Sequence, residues 1–366
     1  MFRLFICTGN LYYGRKKPTG AVIEVLCPHS NVSPYIVINQ NLENPSSICI
    51  HPLKGYLFWT DVYGGSKIER SLLSGKQRIT ITSKNYKIGD IALDVIENVF
   101  YWCDPVTRVI IRSNLEGLNQ EVFLESGRHF PLSVAVSSIY LFWTDRHKDE
   151  ERIFKSFKNG SGDEIELFNN TNIKLLHVFD REQQNGSNIC SYRNGGCQHL
   201  CFYEGHKHHN CACVYSKLGL DGRSCEDYTQ FILWTNGNTI ESLSLEDSTN
   251  PNPPVPPIVP FVEALELVAL AYDSTHDMIY FAETKQGKGI FQVKKDGSDL
   301  KHLVHGGLLH IQGLAYDSKD GVLYFTESID PSICQLIIDA GVPSKCIIHL
   351  GYSDVPHGIV VDSCGR

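Results

Sequence analysis

Short apolar segments recur along the chain with a nearly constant period. Six such segments begin at Ser47, Asp90, Ser133, Ala269, Gly313 and Gly358. Within each half of the chain their starts lie 43 to 45 residues apart. Five of the six are followed by a second segment rich in aromatic residues, such as YLFWTD at 56–61 and VLYFTE at 322–327. Gly, Asn, Asp and Pro separate these segments, so each is predicted to be a short β-strand.

A third, more polar segment and a fourth short segment complete each repeat, as in SKIERSLL at 66–73 and QEVFLE at 120–125. Helical periodicity and helix caps are nearly absent. A repeat of about forty residues with four short strands is typical of a β-propeller blade, which buries its faces only against neighbouring blades. The predicted fold class is therefore all-β, with the blade as its repeating unit.

Six cysteines lie between the two groups of repeats, in a segment too small to bury a core. They are Cys190, Cys197, Cys201, Cys211, Cys213 and Cys225. Domains of this size are usually held by disulfides, and six cysteines allow fifteen pairings. Zinc is the alternative, because three histidines lie in the same segment, at 206, 208 and 209. Zinc sites favour repeated ligand pairs two to four residues apart, so the spacing favours disulfides and no metal.

The spacing of these cysteines resembles that of an EGF-like module, with Asn-Gly-Gly before the second and Asp-Gly before the sixth. That resemblance implies the pairs Cys190–Cys201, Cys197–Cys211 and Cys213–Cys225. Calcium-binding modules of this kind carry acidic residues just before the first cysteine. Here that segment reads REQQNGSNIC, and Tyr203 stands two residues after the third cysteine. We therefore expect no calcium in this module.

The aromatic segments resemble the YWTD repeats of the low-density lipoprotein receptor family. The motif is kept at 59–61 and 143–145, and Trp102-Cys103-Asp104 replaces its Thr by Cys. In the second half it becomes Phe281-Ala282-Glu283 and Phe325-Thr326-Glu327. With their cysteine-rich spacer, the repeats are most similar to the giant endocytic receptors related to the low-density lipoprotein receptor. The resemblance implies six-bladed propellers, each followed by an EGF-like module.

The motif residues are expected to be structural, with the aromatic ring packed between blades and the hydroxyl and carboxylate bonded to turns. They include Trp59, Asp61, Trp102, Asp104, Trp143 and Asp145. A nucleophile elbow, an HExxH helix and a paired-carboxylate setting are not found in the sequence. Ser318-Lys319-Asp320-Gly321 approaches a sialidase turn but fails its spacing. We therefore predict no catalytic residue and no cofactor.

The repeats divide the chain into three regions: residues 1–181 as the back part of one propeller, 186–226 as the EGF-like module and 228–366 as the front part of a second propeller. The first region would hold three full blades, with IKLLHVFD at 173–180 as the strand that closes the ring. The third region opens with FILWTNGNTIESLSL and two fuller blades follow. Both six-bladed rings would be incomplete. An alternative is one chimeric ring of about seven blades, since unpaired strand edges favour pairing.

The cysteine pattern and four Asn-X-Ser/Thr sequons indicate an oxidising, extracellular environment. The sequons are at Asn31, Asn159, Asn169 and Asn185. The sequence has no apolar run long enough to span a membrane, and its start, MFRLFICTGN, does not resemble a signal peptide. We therefore expect an internal segment of a larger secreted or membrane-anchored protein. A net charge of −8 without a basic block argues against nucleic acid as a partner.

Seven further cysteines lie outside the module, at 7, 27, 49, 103, 334, 346 and 364. Cys334 and Cys346 flank a predicted hairpin turn and could form a disulfide. Cys49 and Cys103 lie on apolar strands and are expected to be buried free thiols. The proline-rich segment PNPPVPPIVP at 251–260 is predicted to be a stiff loop between strands, the alternative being a ligand for an SH3-like groove.

Histidines in the cysteine segment suggest a response to acid. His206, His208 and His209 lie together, and histidine gains charge between pH 7 and 5. Charging all three could shift the packing of the module against a propeller. The alternative is an exposed polar loop that has no such coupling.

These features predict a non-enzymatic binding and scaffold segment of an endocytic receptor. The resemblance implies uptake of extracellular protein or lipoprotein ligands. It places the chain on the extracellular and endosomal-lumenal side of a single-pass receptor, with membrane contact only through other parts of that receptor. A Wnt-type co-receptor ectodomain, whose propeller face binds ligand, is the first alternative. A propeller enzyme is the second, and it would need a metal in the channel or convergent acids.

Overall fold

The computed structural model shows a chain of short antiparallel strands. It describes residues 3–4, 9–17, 20–27, 34–63, 65–125, 130–147, 150–170, 173, 175–260, 266–283, 289–304, 310–338 and 343–362. The chain divides into two compact units, Met1–Glu226 and Asp227–Arg366. Within the described ranges, no helix is long and apolar enough to cross a membrane.

The first unit contains four sheets, each of four antiparallel strands paired in chain order, and each sheet is called a blade here. The first blade contains β1 (Arg3–Leu4), β2 (Leu11–Lys17), β3 (Gly20–Leu26) and β4 (Tyr35–Ile38). The second contains β5 (Pro45–His51), β6 (Tyr56–Val62), β7 (Ser66–Leu72) and β8 (Ile79–Lys84). The third contains β9 (Ile91–Asp94), β10 (Val99–Asp104), β11 (Val109–Asn114) and β12 (Glu121–Glu125). The fourth contains β13 (Phe130–Val136), β14 (Tyr140–His147), β15 (Glu150–Phe157) and β16 (Ile165–Asn170).

The cysteine module, residues 190–225, ends the first unit with two small hairpins. They pair β17 (Leu200–Gly205) with β18 (His208–Ala212), and β19 (Lys217–Leu218) with β20 (Cys225–Glu226). Three short 3₁₀ helices precede them: η1 (Glu182–Gln184), η2 (Ile189–Ser191) and η3 (Arg193–Gly196). Asn188 caps η2, because its side chain accepts a hydrogen bond from the Cys190 N–H at 2.9 Å.

The second unit begins with a two-stranded sheet of β21 (Phe231–Asn236) and β22 (Thr239–Ser244). One blade follows, with β23 (Leu267–Asp273), β24 (Met278–Glu283), β25 (Gly289–Lys294) and β26 (Lys301–Val304). A further blade contains β27 (Ile311–Asp317), β28 (Val322–Glu327), β29 (Ser332–Ile337) and β30 (Lys345–His349). The predicted all-β class and its four-stranded blades are thus confirmed.

The proline-rich segment lies along β22. Ile258 forms an isolated antiparallel bridge with Ile240, and the Val255 side chain is fully buried. The Ser242 hydroxyl accepts the Val255 N–H at 2.8 Å and donates to the Val255 carbonyl at 2.9 Å. The segment is therefore packed and hydrogen-bonded within its own unit. This packing does not support the alternative that it is a ligand for an SH3-like groove.

Two predictions about the blades are wrong. The first unit has four blades, not three full ones, because the two-residue strand β1 completes the sheet of β2, β3 and β4. Its second strand, LYYGRKK, lacks the WTD motif. The predicted strands at 173–180 and 358–362 are also absent among the described residues of those ranges. Each segment comes after the last described blade of its unit, where the described residues supply no second strand to complete a ladder.

The hydrophobic cores lie between neighbouring blades. Side chains alternate across a strand, so one face of each second strand points to the preceding blade. Trp102 of the third blade is 1% exposed and shares a core with Phe58 and Ile68 of the second. The same arrangement holds for the aromatic residue at this motif position in every other blade that carries one: Trp59, Trp143, Phe281 and Phe325. The motif aromatic is therefore the main apolar contact from one blade to the next.

The cysteine module packs against the first two blades. Leu200 and Phe202 of β17 lie in the same core as Tyr12 of the first blade and Trp59 of the second. The Tyr35 ring lies 5.9 Å from the Phe202 ring. The module therefore buries its few apolar side chains against the blades rather than within itself.

Replacing one motif tryptophan tests how much the blade contacts contribute to stability. Trp143 is fully buried, and truncating such a residue to alanine removes about 3–5 kcal/mol of stability. We expect Trp143→Ala to lower the free energy of unfolding by that amount, measured by denaturant titration with far-ultraviolet circular dichroism. The control is Tyr63→Ala, because Tyr63 is 74% exposed and should change stability by less than about 0.5 kcal/mol. Equal effects of the two variants would contradict the blade-contact explanation.

Candidate functional site

The inner strands β5, β9 and β13 are linked at the end where they begin, which we call the entry end. The Ser47 hydroxyl donates to Asp90 Oδ1. The Ser133 hydroxyl donates to Asp90 Oδ2 at 2.7 Å, and Ser133 Oγ accepts the Leu176 N–H at 3.1 Å. Each of these bonds joins residues 43 positions apart. The repeat period therefore places equivalent polar atoms side by side across four successive positions of the inner ring.

The motif threonines fix the same end of the inner strands. Thr60 Oγ1 accepts the Ser47 N–H at 2.9 Å, and Thr144 Oγ1 accepts the Ser133 N–H at 3.1 Å. In the third blade Cys103 replaces the threonine, and a thiol is a weak acceptor. There the Asp90 N–H donates instead to the Leu132 carbonyl of the fourth blade at 3.0 Å. The Cys103 departure from the motif is thus compensated by a bond between blades.

The motif carboxylates bind turns, as the sequence led us to expect. Asp61 Oδ1 accepts the Asn44 N–H at 2.6 Å. Asp104 Oδ1 accepts the Thr107 N–H at 3.0 Å, while Asp104 Oδ2 accepts the Tyr86 hydroxyl at 2.8 Å. In the second unit Glu327 Oε1 accepts the Ile329 N–H at 2.9 Å. Asp145 is 1% exposed. Asp61, Asp104 and Glu327 thus hold backbone groups of three different blades in place.

A cavity of about 440 Å³ opens at the entry end of the first unit. Its lining includes Asp90, Lys87 and Arg146 together with the apolar residues Pro105, Leu132 and Leu175. Lys87 is exposed. The Arg146 side chain is 56% exposed although it forms an ion pair with Glu151 at 2.6 Å. Both Asp90 oxygens accept hydroxyl hydrogen bonds, so the accessible charge in the cavity is mainly positive.

A second polar series lies at the other end of the inner strands, which we call the exit end. His51, Asp94, Ser137 and Asp180 recur there at the blade period. Asp94 Oδ1 accepts the N–H of Glu97 at 3.1 Å, and Ser137 Oγ accepts that of Tyr140 at 2.9 Å. Asp273 and Asp317 cap the corresponding turns in the second unit. These residues were not predicted as functional from the sequence, although the polar residue that ends each inner segment could have indicated them.

His51 takes the place of an aspartate in this series. It is 1% exposed, and one ring nitrogen, Nε2, lies 3.0 Å from Asn98 Oδ1. Burial lowers the pKa of His51 to about 4, although the hydrogen bond to Asn98 acts in the opposite direction. The second blade therefore ends its inner strand on a histidine that stays neutral until the solution is strongly acidic.

Four disulfides are present among the described residues. The module contains Cys190–Cys201, Cys197–Cys211 and Cys213–Cys225, with Cα atoms 5.7, 5.3 and 5.6 Å apart. These are the pairs that the resemblance to EGF-like modules implies. Cys334 and Cys346 face each other across β29 and β30 and form the fourth disulfide. Each bridge restricts the unfolded chain and so favours the folded state.

Sulfur atoms and histidines do approach one another in the module, as the zinc alternative requires. Cys197 and Cys201 lie near His209, and Cys213 and Cys225 lie near His199. All four sulfur atoms are in disulfides, whereas zinc is bound by the thiolate. The groups therefore do not fit a zinc site in this oxidised state. His206 and His208 are exposed at the β17–β18 turn, beside the part of the module that contacts the second blade.

The remaining predicted residues are the glycosylation asparagines and the cysteines outside the module. Asn159, Asn169 and Asn185 are exposed, so glycosylation there stays a prediction, while Asn31 lies outside the described residues. Cys49 and Cys103 are buried and not in disulfides. Cys7 and Cys364 also lie outside the described residues.

The fold and the site define a class: an all-β protein of propeller blades whose inner strands are joined by polar side chains, with a small disulfide module packed against them. No family model matches the chain. A curated relative, low-density lipoprotein receptor-related protein 4 of Homo sapiens, is 28% identical over 230 residues. The match covers 61% of this chain and 11% of that protein, so the chain spans about a tenth of the relative's length. Over this stretch the chain is similar to a low-density lipoprotein receptor-related protein, as its WTD motifs indicated.

The chain also resembles solved structures at low sequence identity. The nidogen/laminin complex gives a TM-score of 0.37 with 13% identity, over 96% of this chain and 97% of that one. A putative TolB from Agrobacterium tumefaciens gives a TM-score of 0.39 with 13% identity, over 44% of this chain and 62% of that one. Because both scores are below 0.5, the blades of the chain itself carry the fold assignment.

Thiol labelling tests the environment of Cys103. Burial raises the pKa of its thiol well above the usual value, and the thiolate is the reactive form. We expect Cys103 in the native protein to resist N-ethylmaleimide at pH 7.5 and to react fully once guanidinium has unfolded the chain, as read by peptide mass spectrometry. Stoichiometric labelling of Cys103 in the native protein, at the rate seen after unfolding, would show that the third blade is not packed as described.

The pH dependence of stability tests His51. Its pKa is about 4 in the folded state and about 6.5 when unfolded, so the unfolded chain binds the proton more readily. Stability should therefore be fully present above about pH 6.5 and should fall by about 3 kcal/mol as the pH drops to 4. His51→Gln should remove this part of the pH dependence of the unfolding free energy, measured in urea at pH 7, 5.5 and 4. A variant with the same pH profile as the natural chain would rule out this role.

Proposed function

We propose that the chain is a ligand-binding and scaffold segment from the ectodomain of an endocytic receptor. The relationship to a low-density lipoprotein receptor-related protein and the four disulfides support an extracellular and endosomal-lumenal location. The partners would be extracellular proteins or lipoproteins. The buried motif carboxylates Asp61 and Asp104 are engaged in hydrogen bonds to backbone N–H groups, which favours a binding role over catalysis by a propeller enzyme.

The cationic cavity at the entry end carries this proposal. Lys87 and Arg146 line it, and exposed groups surround it at the same end of the blades. The Arg108 guanidinium lies 4.5 Å above the Phe130 ring, and the Phe130 side chain is 38% exposed. Arginine and aromatic residues are enriched at binding surfaces, and a positive site attracts negatively charged partners. The ligand group that fits this cavity is a carboxylate on the surface of a protein or a lipoprotein.

The Wnt-type co-receptor is the alternative, and a neighbouring site gives it some support. That function would call for an exposed aromatic and acidic patch. A smaller cavity of about 270 Å³ is lined by Glu43, Asp61 and the exposed Tyr63, although Lys67 and Lys84 also line it. Its ligand would contact Glu43 and Tyr63 instead of Lys87 and Arg146. The two functions can therefore be separated by variants at the two cavities.

Binding of charged peptides tests the proposal. Using the full chain, we expect a fluorescent Glu-rich decapeptide to bind and a Lys-rich decapeptide to bind weakly or not at all. Charge reversal of both cavity cations, in Lys87→Glu with Arg146→Glu, should weaken binding of the acidic peptide about tenfold, because attraction becomes repulsion. Raising the salt concentration should weaken it further.

The matched control is Lys76→Glu, an exposed lysine in the β7–β8 turn at the exit end. It changes the net charge in the same direction but should leave the affinity nearly unchanged. Equal losses for the control and the double variant would mean that only overall charge matters. Preference for the Lys-rich peptide, with loss of binding in Glu43→Ala and Tyr63→Ala, would favour the Wnt-type alternative.

A further inference from the structure

The segment that leads from the fourth blade to the cysteine module crosses the exit end of the inner strands. Asp180 makes the first contact: its Oδ2 atom accepts the Ser138 N–H of the fourth blade at 2.6 Å. Its Oδ1 atom accepts the Glu182 N–H at 2.9 Å and so begins η1. The backbone bond from Ser138 lowers the pKa of Asp180, which keeps the carboxylate ionised at acidic pH.

Gln183 makes the next contact, with the third blade. Its side chain is buried, with 9% exposed. Gln183 Oε1 accepts the Val95 N–H at 2.9 Å, and Gln183 Nε2 donates to Asp94 Oδ1 at 2.9 Å. The amide oxygen and the amide nitrogen of Gln183 thus each form a hydrogen bond with one of two adjacent residues. The Val95 N–H of the third blade is thus satisfied by Gln183, which lies 88 positions further along the chain.

Asp94 connects this contact to the fourth blade. The carboxylate is fully buried and forms an ion pair with Lys158, which is itself 4% exposed. Lys158 Nζ also lies 3.0 Å from a Glu97 oxygen. Asp94 belongs to the third blade, Lys158 follows the last residue of β15 in the fourth, and Gln183 belongs to the connecting segment. Three parts of the chain therefore meet at one buried carboxylate, where each partner offsets the cost of burying the charge.

The segment then reaches the second blade. The Asn188 side-chain N–H donates to the Pro52 carbonyl at 2.9 Å. Gly186 has φ +130°, and a Cβ there would lie 2.8 Å from the Leu53 side chain, so only glycine allows this approach. Beyond the first disulfide, the Ser74 hydroxyl donates to Glu204 at 2.6 Å.

Residues 200–202 of the module contact the first blade. The Asn10 side-chain N–H donates to the Cys201 carbonyl at 3.2 Å, and Leu200 and Phe202 share the core of that blade. The chain therefore touches the fourth, third, second and first blades in that order between residues 180 and 202, and Glu204 then contacts the second blade again. All these contacts lie at the exit end, opposite the cationic cavity.

We propose that residues 180–188 and the cysteine module together form a strap that fixes the four blades to one another. Gln183 is its central positioning residue. Apolar contacts are non-directional, so the cores between blades do little to prevent one blade from sliding against the next. The strap adds directional hydrogen bonds to each blade. The strap also occupies the exit end, so we expect a ligand to reach the first unit from the entry end.

Hydrogen exchange of the full chain, followed by mass spectrometry, tests the strap. Gln183→Ala removes both amide bonds. Loss of a buried hydrogen bond of this kind costs enough to raise local exchange about tenfold. We expect faster exchange at Val95, throughout residues 180–188 and also in the 52–55 peptide of the second blade, which Gln183 does not touch. The spread to the second blade is the result that a strap requires.

The matched control is Glu182→Ala, because the neighbouring Glu182 side chain is exposed; it should leave exchange unchanged. Asn188→Ala provides an independent variant at the second-blade contact. It should raise exchange at residues 180–185, which precede the substitution, so the effect would spread toward the N-terminus. An increase confined to Val95 and to residues next to the substitution in both variants would overturn the proposal. It would show that each contact acts alone. Peptide binding at the entry end is a separate measurement, so failure of the proposed function would not affect this result.

Discussion

The contact of each motif aromatic with the preceding blade is the constraint on which the rest of the structure depends. A four-stranded sheet of six-residue strands has two faces to bury and no interior of its own. Trp59, Trp102 and Trp143 are each at most 1% exposed, and each stands on the second strand of its blade. Once these rings are in place, the inner strands lie close enough for Ser47, Asp90 and Ser133 to share hydrogen bonds.

The polar positions of the inner strands show that the repeat preserves a hydrogen-bonding role more closely than a residue type. Asp94 and Ser137 both accept backbone N–H groups of the turn that follows, although one is charged and the other is not. His51, at the same position, instead pairs with Asn98 of the next blade. This substitution exchanges a turn bond for a bond between blades, and it introduces a buried group that titrates. Among the four residues of this series, His51 is the one histidine, and burial lowers its pKa.

Much of the fold could be predicted from the sequence, because the blade period, the aromatic motif and the cysteine spacing are all local patterns. The first blade was not counted as a full one because LYYGRKK has no WTD and its inner strand β1 has only two residues. The segments at 173–180 and 358–362 were overpredicted because an apolar run alone does not supply a partner strand. The strap could not be predicted either. Its bonds join residues 88, 89 and 136 positions apart, and nothing in the pattern around Gln183 distinguishes it from an exposed linker residue.

Acidic and basic side chains occupy different positions in the first unit. This difference explains why a chain with a net charge of −8 would present a positive cavity. Acidic residues are placed where backbone N–H groups need acceptors, as Asp61, Asp94 and Asp104 show, and burial removes them from contact with a ligand. The strap, in turn, covers the exit end. Among the described residues around the larger cavity, the exposed charged side chains are those of Lys87 and of Arg146, which stays 56% exposed although it pairs with Glu151. In this cavity the one described carboxylate, Asp90, is engaged by two hydroxyl groups, whereas the two cations are exposed, and this is the physical reason to propose an acidic ligand surface.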